Sequence, residues 1–203
     1  MKERYFVNSL HTSTKRDYKS RVINVDKAEV SELAIQWGFD YWDGSRDTGY
    51  GGYKYDGRWK KVASLLIDTY QLKPGMKILD VGCGKGFLIN DLKELCPGLD
   101  VYGVDISEYA IQNCLSQVKE KCYEGSATKL PFEDKFFDLV ISITTLHNLF
   151  NYDLDLALQE IKRVCKGKSY ICVEGYRNEK EKVNLMYWQL TCRAFLKPEE
   201  WKY

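Results

Sequence analysis

Three glycines at alternate positions, Gly82, Gly84 and Gly86, lie between an apolar run at residues 76–81 and a helical pattern of Phe87, Leu88, Leu92 and Leu95. Glycine at a strand-to-helix turn lets the backbone fold sharply and lets a ligand approach where a side chain would block it. Asp80 precedes this turn and Cys83 lies within it. Asp105, followed by Ile106, ends a second apolar run. An acidic side chain there can accept hydrogen bonds from both hydroxyls of a ribose. A dinucleotide fingerprint would place a further glycine at position 87, where this chain has Phe87.

Three more groups of residues have chemistry to offer. SITTLHNL, residues 142–149, follows a strongly apolar run and contains Ser142, His147 and Asn148. Open α/β sheets bind ligands beyond the carboxyl ends of their strands, so His147 is a candidate general base and Asn148 a substrate-orienting neighbour. The alternative is that His147 only caps or packs. Glu174, Tyr176 and Arg177 fall at the end of another apolar run and face substrate on the same logic. The segment GYGGYKYDGRW, residues 49–59, combines four glycines with Tyr50, Tyr53, Tyr55, Arg58 and Trp59. It reads either as a glycine-hinged lid, with Arg58 paired to a ligand carboxylate, or as an aromatic seam that docks the N-terminal helices.

The order of these features resembles class I S-adenosylmethionine (SAM)-dependent methyltransferases. ILDVGCGKG, residues 78–86, resembles their motif I, and Asp105 is the second hallmark. GSATKLPFEDKFFDLVIS, residues 125–142, resembles the stretch that holds adenine and enters the fourth strand. The resemblance covers residues 73–176. It implies a mostly parallel Rossmann-like α/β sheet, SAM as cofactor and S-adenosylhomocysteine (SAH) as product. It places Asp80 as a brace for the glycine loop and makes Ser126 and Ala127 part of the adenine site. Ser126 departs from the acidic residue that relatives carry there. The implied reaction is methyl transfer to an oxygen or nitrogen of a small molecule, in the manner of bacterial small-molecule methyltransferases. Protein or nucleic-acid methylation and a non-catalytic SAM-binding subunit are the competing readings.

These residues need elements to position them. Helical spacing predicts helices over 27–37, capped by Asp26, and over 60–71, while residues 39–59 read as a structured loop. Five strands, near 76–81, 99–104, 121–124, 137–143 and 169–174, alternate with helices over 87–95, 108–118 and 154–164. Met186, Tyr187, Leu190 and Phe195 read as core, and 179–182 as a solvated first turn. The organisation is one structural unit, with an N-terminal arm, helices and lid in 1–72 and the SAM-binding core in 73–203. Residues 1–26 form either an arm or a strap. The usual last two strands are missing, which leaves the edge beside the fifth strand open to an oligomer or a partner.

Thirty basic against 29 acidic residues leave a net charge of +1, too little to draw in nucleic acid or an acidic membrane surface. There is no apolar stretch of membrane-spanning length. Seven cysteines without a CxxC pair read as reduced thiols of a cytoplasmic protein, and with two histidines they imply no metal site.

Overall fold

The computed structural model describes residues 2–11 and 17–202. Five strands, β1 (Lys77–Val81), β2 (Asp100–Asp105), β3 (Cys122–Glu124), β4 (Leu139–Ile143) and β5 (Ser169–Cys172), form one sheet in the order β3-β2-β1-β4-β5. Every pairing is parallel, as alternation with helices requires. β1 is central with β2 and β4 beside it, which explains why KILDV and LVISI are buried on both faces.

Side chains alternate between two core layers. Ile78, Leu139 and Ile141 pack with Val62, Leu66, Leu88 and Leu92 from α5 (Lys60–Tyr70) and α6 (Phe87–Leu95). Leu79, Val81 and Val140 pack on the other face with Leu154, Ala157, Ile161 and Val164 from α8 (Asn151–Val164). The short helices α1 (Asn8–His11), α2 (Ser20–Ile23), α3 (Lys27–Ala34) and α4 (Phe39–Trp42) precede the sheet. α7 (Glu108–Gln112) follows β2, and α9 (Glu179–Trp188) follows β5.

The caps read from sequence are present. The Asp26 carboxylate accepts from the Ala28 and Glu29 amides at 2.9 and 3.3 Å, and Ser107 Oγ accepts from the Ala110 amide at 3.0 Å. Four expectations change. α3 stops at Ala34, and Trp37 takes φ 53°. α7 stops at Gln112 because the chain turns inward: the Leu115 amide donates to the Lys85 carbonyl, and Cys114 and Val118 pack beneath Gly86. Residues 39–42 of the expected loop are helical. Met186 and Tyr187 are 50% and 36% exposed rather than core, because α9 buries none of its residues.

Of the arm-or-strap alternatives, residues 2–11 form a strap. Phe6 and Val7 are buried in the core, and the Phe6 ring centroid lies 4.8 Å from that of Tyr170 in β5. Residues 12–16 lie outside the described residues. β5 is an edge strand of this sheet, as the sequence implied, flanked by Phe6 and by the Tyr70 hydroxyl bonded to the Ser169 carbonyl. Among the described residues, no helix is long and apolar enough to cross a membrane.

Candidate functional site

The chain reverses strand order on either side of β1, and the carboxyl ends of β1, β2 and β4 open a cleft there. Gly82, Gly84 and Gly86 have φ of 85°, 54° and 74°, a region that side chains disfavour. Each also admits a different neighbour. A Cβ on Gly82 would lie 1.9 Å from Thr145 Oγ1, on Gly84 2.8 Å from the Trp42 ring, and on Gly86 2.6 Å from Cys114 Sγ. Gly82 therefore admits the loop after β4, Gly84 admits the N-terminal segment, and Gly86 packs the start of α6 onto the segment that follows α7. Gly82→Ala is expected to lower the unfolding free energy by roughly 2–5 kcal/mol through backbone strain and overpacking. Urea denaturation would measure it, and a loss below about 1 kcal/mol would contradict this loop geometry.

Two carboxylates meet at the cleft. Asp105, 8% exposed, accepts from the Gly84 amide through Oδ2 at 2.7 Å and from the Ser107 amide through Oδ1 at 2.9 Å. Burial raises its pKa against the lowering by those two bonds. The Asp80 carboxyl, in a residue 4% exposed, makes no hydrogen bond among the described residues, and burial with the nearby Asp105 charge pushes its pKa up to about 7. The brace on the glycine loop is therefore Asp105, whereas the resemblance assigned that task to Asp80. The Asp80 carboxylate is left without a protein partner and opens on the cavity.

Both line a cavity of about 220 Å³, together with Tyr53, Gly82, Cys83, Gly84, Ile106, Ser126, Ala127 and Asn148 of the sequence candidates. Its roof is aromatic. Trp42 and Tyr50 stack at 5.4 Å, Tyr50 and Tyr53 meet at 4.5 Å, and Tyr53 stacks on Phe87 at 4.7 Å. Trp42 Nε1 donates to Ser107 Oγ at 2.9 Å, which ties the roof to the end of β2. The buried Lys85 ammonium reaches Asp43 at 2.6 Å and the Tyr53 carbonyl at 3.1 Å, clasping the roof to the glycine turn. Burial opposes the Asp43 charge, but the bonds from Lys85 and Tyr109 hold its carboxyl below the ordinary value. Cys83 receives a lowering hydrogen bond from Cys122, yet burial carries its thiol up to about 11, so it remains neutral.

The segment at 49–59 covers this cavity but is not loosely hinged. Gly49 permits close approach, since a Cβ would sit 2.0 Å from the Tyr41 carbonyl oxygen, and the amides of Tyr50, Gly52 and Tyr53 donate to the Tyr41 and Trp42 carbonyls. The segment takes the form of the aromatic seam, and that seam covers the cavity. Tyr55 turns away to Asp91, 2.5 Å from its hydroxyl. Arg58 is exposed and closes on Asp56 through three contacts of 2.6 to 2.9 Å, so it lies outside the carboxylate-binding geometry expected of it.

A second cavity, about 240 Å³, adjoins the first. Tyr41, Tyr50, Thr144 and Asn148 line both. Its other walls include His147, Glu174, Thr191, Gln189, Trp188, Arg21, Arg46 and Arg58. Thr144 has φ 54°, a costly conformation for a β-branched residue, placed at the shared wall. Asn148 is oriented by Thr191 Oγ1, which donates to its Oδ1 at 2.8 Å. His147 is 2% exposed; its Nδ1 accepts from the Glu174 amide at 3.4 Å, and its carbonyl accepts from the Arg193 and Ala194 amides. An accepting Nδ1 puts the ring proton of neutral His147 on Nε2, which suits a donor rather than a base.

Of the other sequence candidates, Ser142, Tyr176, Gly86 and the exposed Arg177 line neither cavity, and Arg58 and Glu174 line only the second. Ser142 is fully buried and donates to the Val81 carbonyl at 2.9 Å, tying β4 to β1. Tyr176 is buried beneath the Lys182 ammonium. Gly86 faces the α7 side, and Arg58 borders only the second cavity. Sequence reasoning missed Trp37, Tyr41, Trp42, Thr144 and Thr145 as wall residues. The run FDYW was the local sign of Tyr41 and Trp42, and Thr144 and Thr145 lie within the SITTLHNL segment already singled out. Among the described residues, no group of His, Cys, Asp or Glu is arranged to hold a metal ion.

Residues 79–173, from within β1 to just past β5, match the family described as methyltransferase domain. This chain carries a class I SAM-dependent methyltransferase domain. Similar proteins include the demethylmenaquinone methyltransferase of Symbiobacterium thermophilum, 34% identical over 59% of this chain and 50% of that protein. A tRNA (carboxymethyluridine(34)-5-O)-methyltransferase of Arabidopsis thaliana is 32% identical over 64% of this chain and 30% of its own length. The chain thus spans half or less of these two relatives. The YcgJ protein of Bacillus subtilis has a similar fold, with a TM-score of 0.59 and 22% identity over 69% of this chain and 64% of that one. The methyltransferase domain of this chain accordingly ends its described sheet at β5, with the two cavities at the strand ends.

Proposed function

We propose that this chain is an enzyme that uses SAM to methylate an oxygen or nitrogen of a small molecule. The observation that carries this reading is the unpartnered carboxylate of Asp80 beside Asp105, in an aromatic-roofed cavity that shares a wall with a second, polar one. A buried carboxylate without a partner is costly, and a ligand rich in donors and positive charge relieves it. SAM fits, since it carries an ammonium, a sulfonium and a ribose diol.

In this reading Asp105 keeps acceptor capacity for the ribose hydroxyls while holding Gly84 and Ser107. Gly82, Cys83 and Gly84 offer backbone to the methionyl portion beside Asp80. Ile106, Ser126 and Ala127 border the adenine. When bound, SAM would supply a methyl group on positively charged sulfur, transferred to the hydroxyl or amine while the bonding pair stays on sulfur and the acceptor's proton leaves to solvent. Tyr41, Tyr50, Tyr53 and Trp42 exclude water from the junction, where positioning supplies most of the acceleration. Asn148, fixed by Thr191, orients the acceptor, and His147 helps hold the wall through Glu174 and the 193–194 backbone. Seven free cysteines fit a reducing, cytoplasmic location.

Calorimetry with SAH, followed by an SAH-release assay on small hydroxyl and amine compounds and on bulk tRNA, tests the proposal. Saturable SAH binding with turnover of a small molecule is the expected result. Turnover of tRNA alone would move the acceptor class, and binding without any turnover would support a non-catalytic SAM-binding subunit.

A further inference from the structure

The second cavity has an uneven charge distribution. Arg21 and Arg46 share one aromatic plate, with guanidinium carbons 4.8 and 5.8 Å from the Trp188 ring centroid. Each uses its hydrogen bonds on neutral carbonyls: Arg21 donates to those of Trp188, Arg46 and Asp47, and Arg46 to those of Gly49 and Tyr50. Among the described residues, neither has a carboxylate within ion-pairing distance. Two other arginines differ, since Arg58 closes on Asp56 and Arg163 is clamped by Glu160 and Asp134. Burial, then the charge of Arg46, lowers the Arg21 pKa against a smaller rise from the Asp47 charge. Tertiary structure makes this arrangement: Arg21 comes from α2 and Trp188 from the end of α9, 167 residues apart.

The opposite end of the cavity is different. Glu174 is held there by the neutral amide of Gln189, beside His147, Thr191 and Asn148. Asn148 and Thr144 belong to the wall shared with the Asp80 and Asp105 cavity. A ligand that spans the cavity would set an anionic group on the arginine pair and a donor toward Glu174 and Asn148. Planar guanidinium forks suit carboxylate and phosphate oxygens alike.

We propose that the second cavity is the acceptor site and that it selects a small organic anion, a carboxylate or a phosphate ester, bearing the hydroxyl or amine to be methylated. This rests on the methyltransferase reading above. Arg21 and Arg46 anchor the anion, and Asn148 lies at the reacting end. Arg58, already neutralised, contributes to the rim only.

The test uses full-length protein saturated with SAH and three matched probes, 4-hydroxybenzoate, 4-hydroxyphenyl phosphate and the neutral 4-hydroxybenzamide, titrated by calorimetry. At least one anion is expected to bind about tenfold or more tightly than the amide, and the stronger arm distinguishes carboxylate from phosphate. Arg21→Gln with Arg46→Gln is expected to abolish that preference while SAH affinity stays unchanged. Should the double variant fail to fold, Arg46→Gln alone gives the same reading, because Arg46 bonds only within its own loop. Equal binding of anions and amide, failure of both anions to bind, or a preference that survives in the variants overturns the proposal while SAH binding stands. Failure of the unaltered protein to bind SAH overturns the methyltransferase reading itself, and the acceptor site falls with it.

Discussion

Asp105→Ala is expected to weaken SAH binding by roughly 1–3 kcal/mol, about fivefold to 150-fold, and to lower the melting temperature of the ligand-free protein as well. Both effects follow from its two tasks. Its carboxylate is the acceptor for the Gly84 and Ser107 amides, which hold the glycine turn against the start of α7, and in the proposed complex the remaining lone pairs meet the ribose. Removing it leaves buried donors unsatisfied in both states. Asp105→Asn keeps one acceptor oxygen and should fall between the two. Calorimetry gives the affinity and thermal unfolding the stability; unchanged SAH affinity in Asp105→Ala would remove this residue from the cofactor site.

Asp80→Asn is expected to do the opposite to stability. An aspartate whose folded pKa lies near 7, above its unfolded value of 3.8, binds more protons in the folded state across that window. Its contribution therefore favours folding at low pH and is lost as pH rises from about 4 to about 7. A three-unit displacement corresponds to about 4 kcal/mol, an upper bound because Asp105 titrates beside it. Other carboxylates slope the other way: Asp43, Asp100, Asp138 and Glu160 all lie below their ordinary values, so their stabilisation is lost as pH falls. The difference between wild type and Asp80→Asn isolates the one group. That difference should be small at pH 4 and should favour the variant at pH 8, while SAH affinity at pH 8 falls. Such opposed effects mark a residue kept for binding at the expense of stability. A variant no more stable than wild type at pH 8 would show that Asp80 is solvated or paired.

Much of this design is local enough to read along the chain. Alternating apolar runs and helical periods place β1 to β5 and α5, α6 and α8, because burial on both faces of a parallel sheet leaves few other solutions. Asp26 and Ser107 mark helix starts because a short polar side chain reaches its own backbone. The glycine turn is legible for the same reason, although its three glycines turn out to meet three different neighbours.

What escaped was set by distant contacts. Trp42 roofs the cavity because the N-terminal segment folds back over Gly84, and nothing near residue 42 announces that. Arg58 has a carboxylate two residues away and takes it, so a residue type suited to a ligand is spent locally. α9 looked like core by its Met186 and Tyr187, but no layer covers those faces.

By itself, then, the sequence determined the parallel sheet, the glycine turn and the two acidic residues at the ends of β1 and β2, since these depend on periodicity and short-range backbone chemistry. Tertiary structure alone decided which aspartate braces the loop and which stands unpaired, that Tyr41, Tyr50, Thr144 and Asn148 divide two cavities, and that Arg21 meets Trp188. Those outcomes depend on which burial and which charge pairings the folded chain satisfies, and no window of neighbouring residues contains both partners.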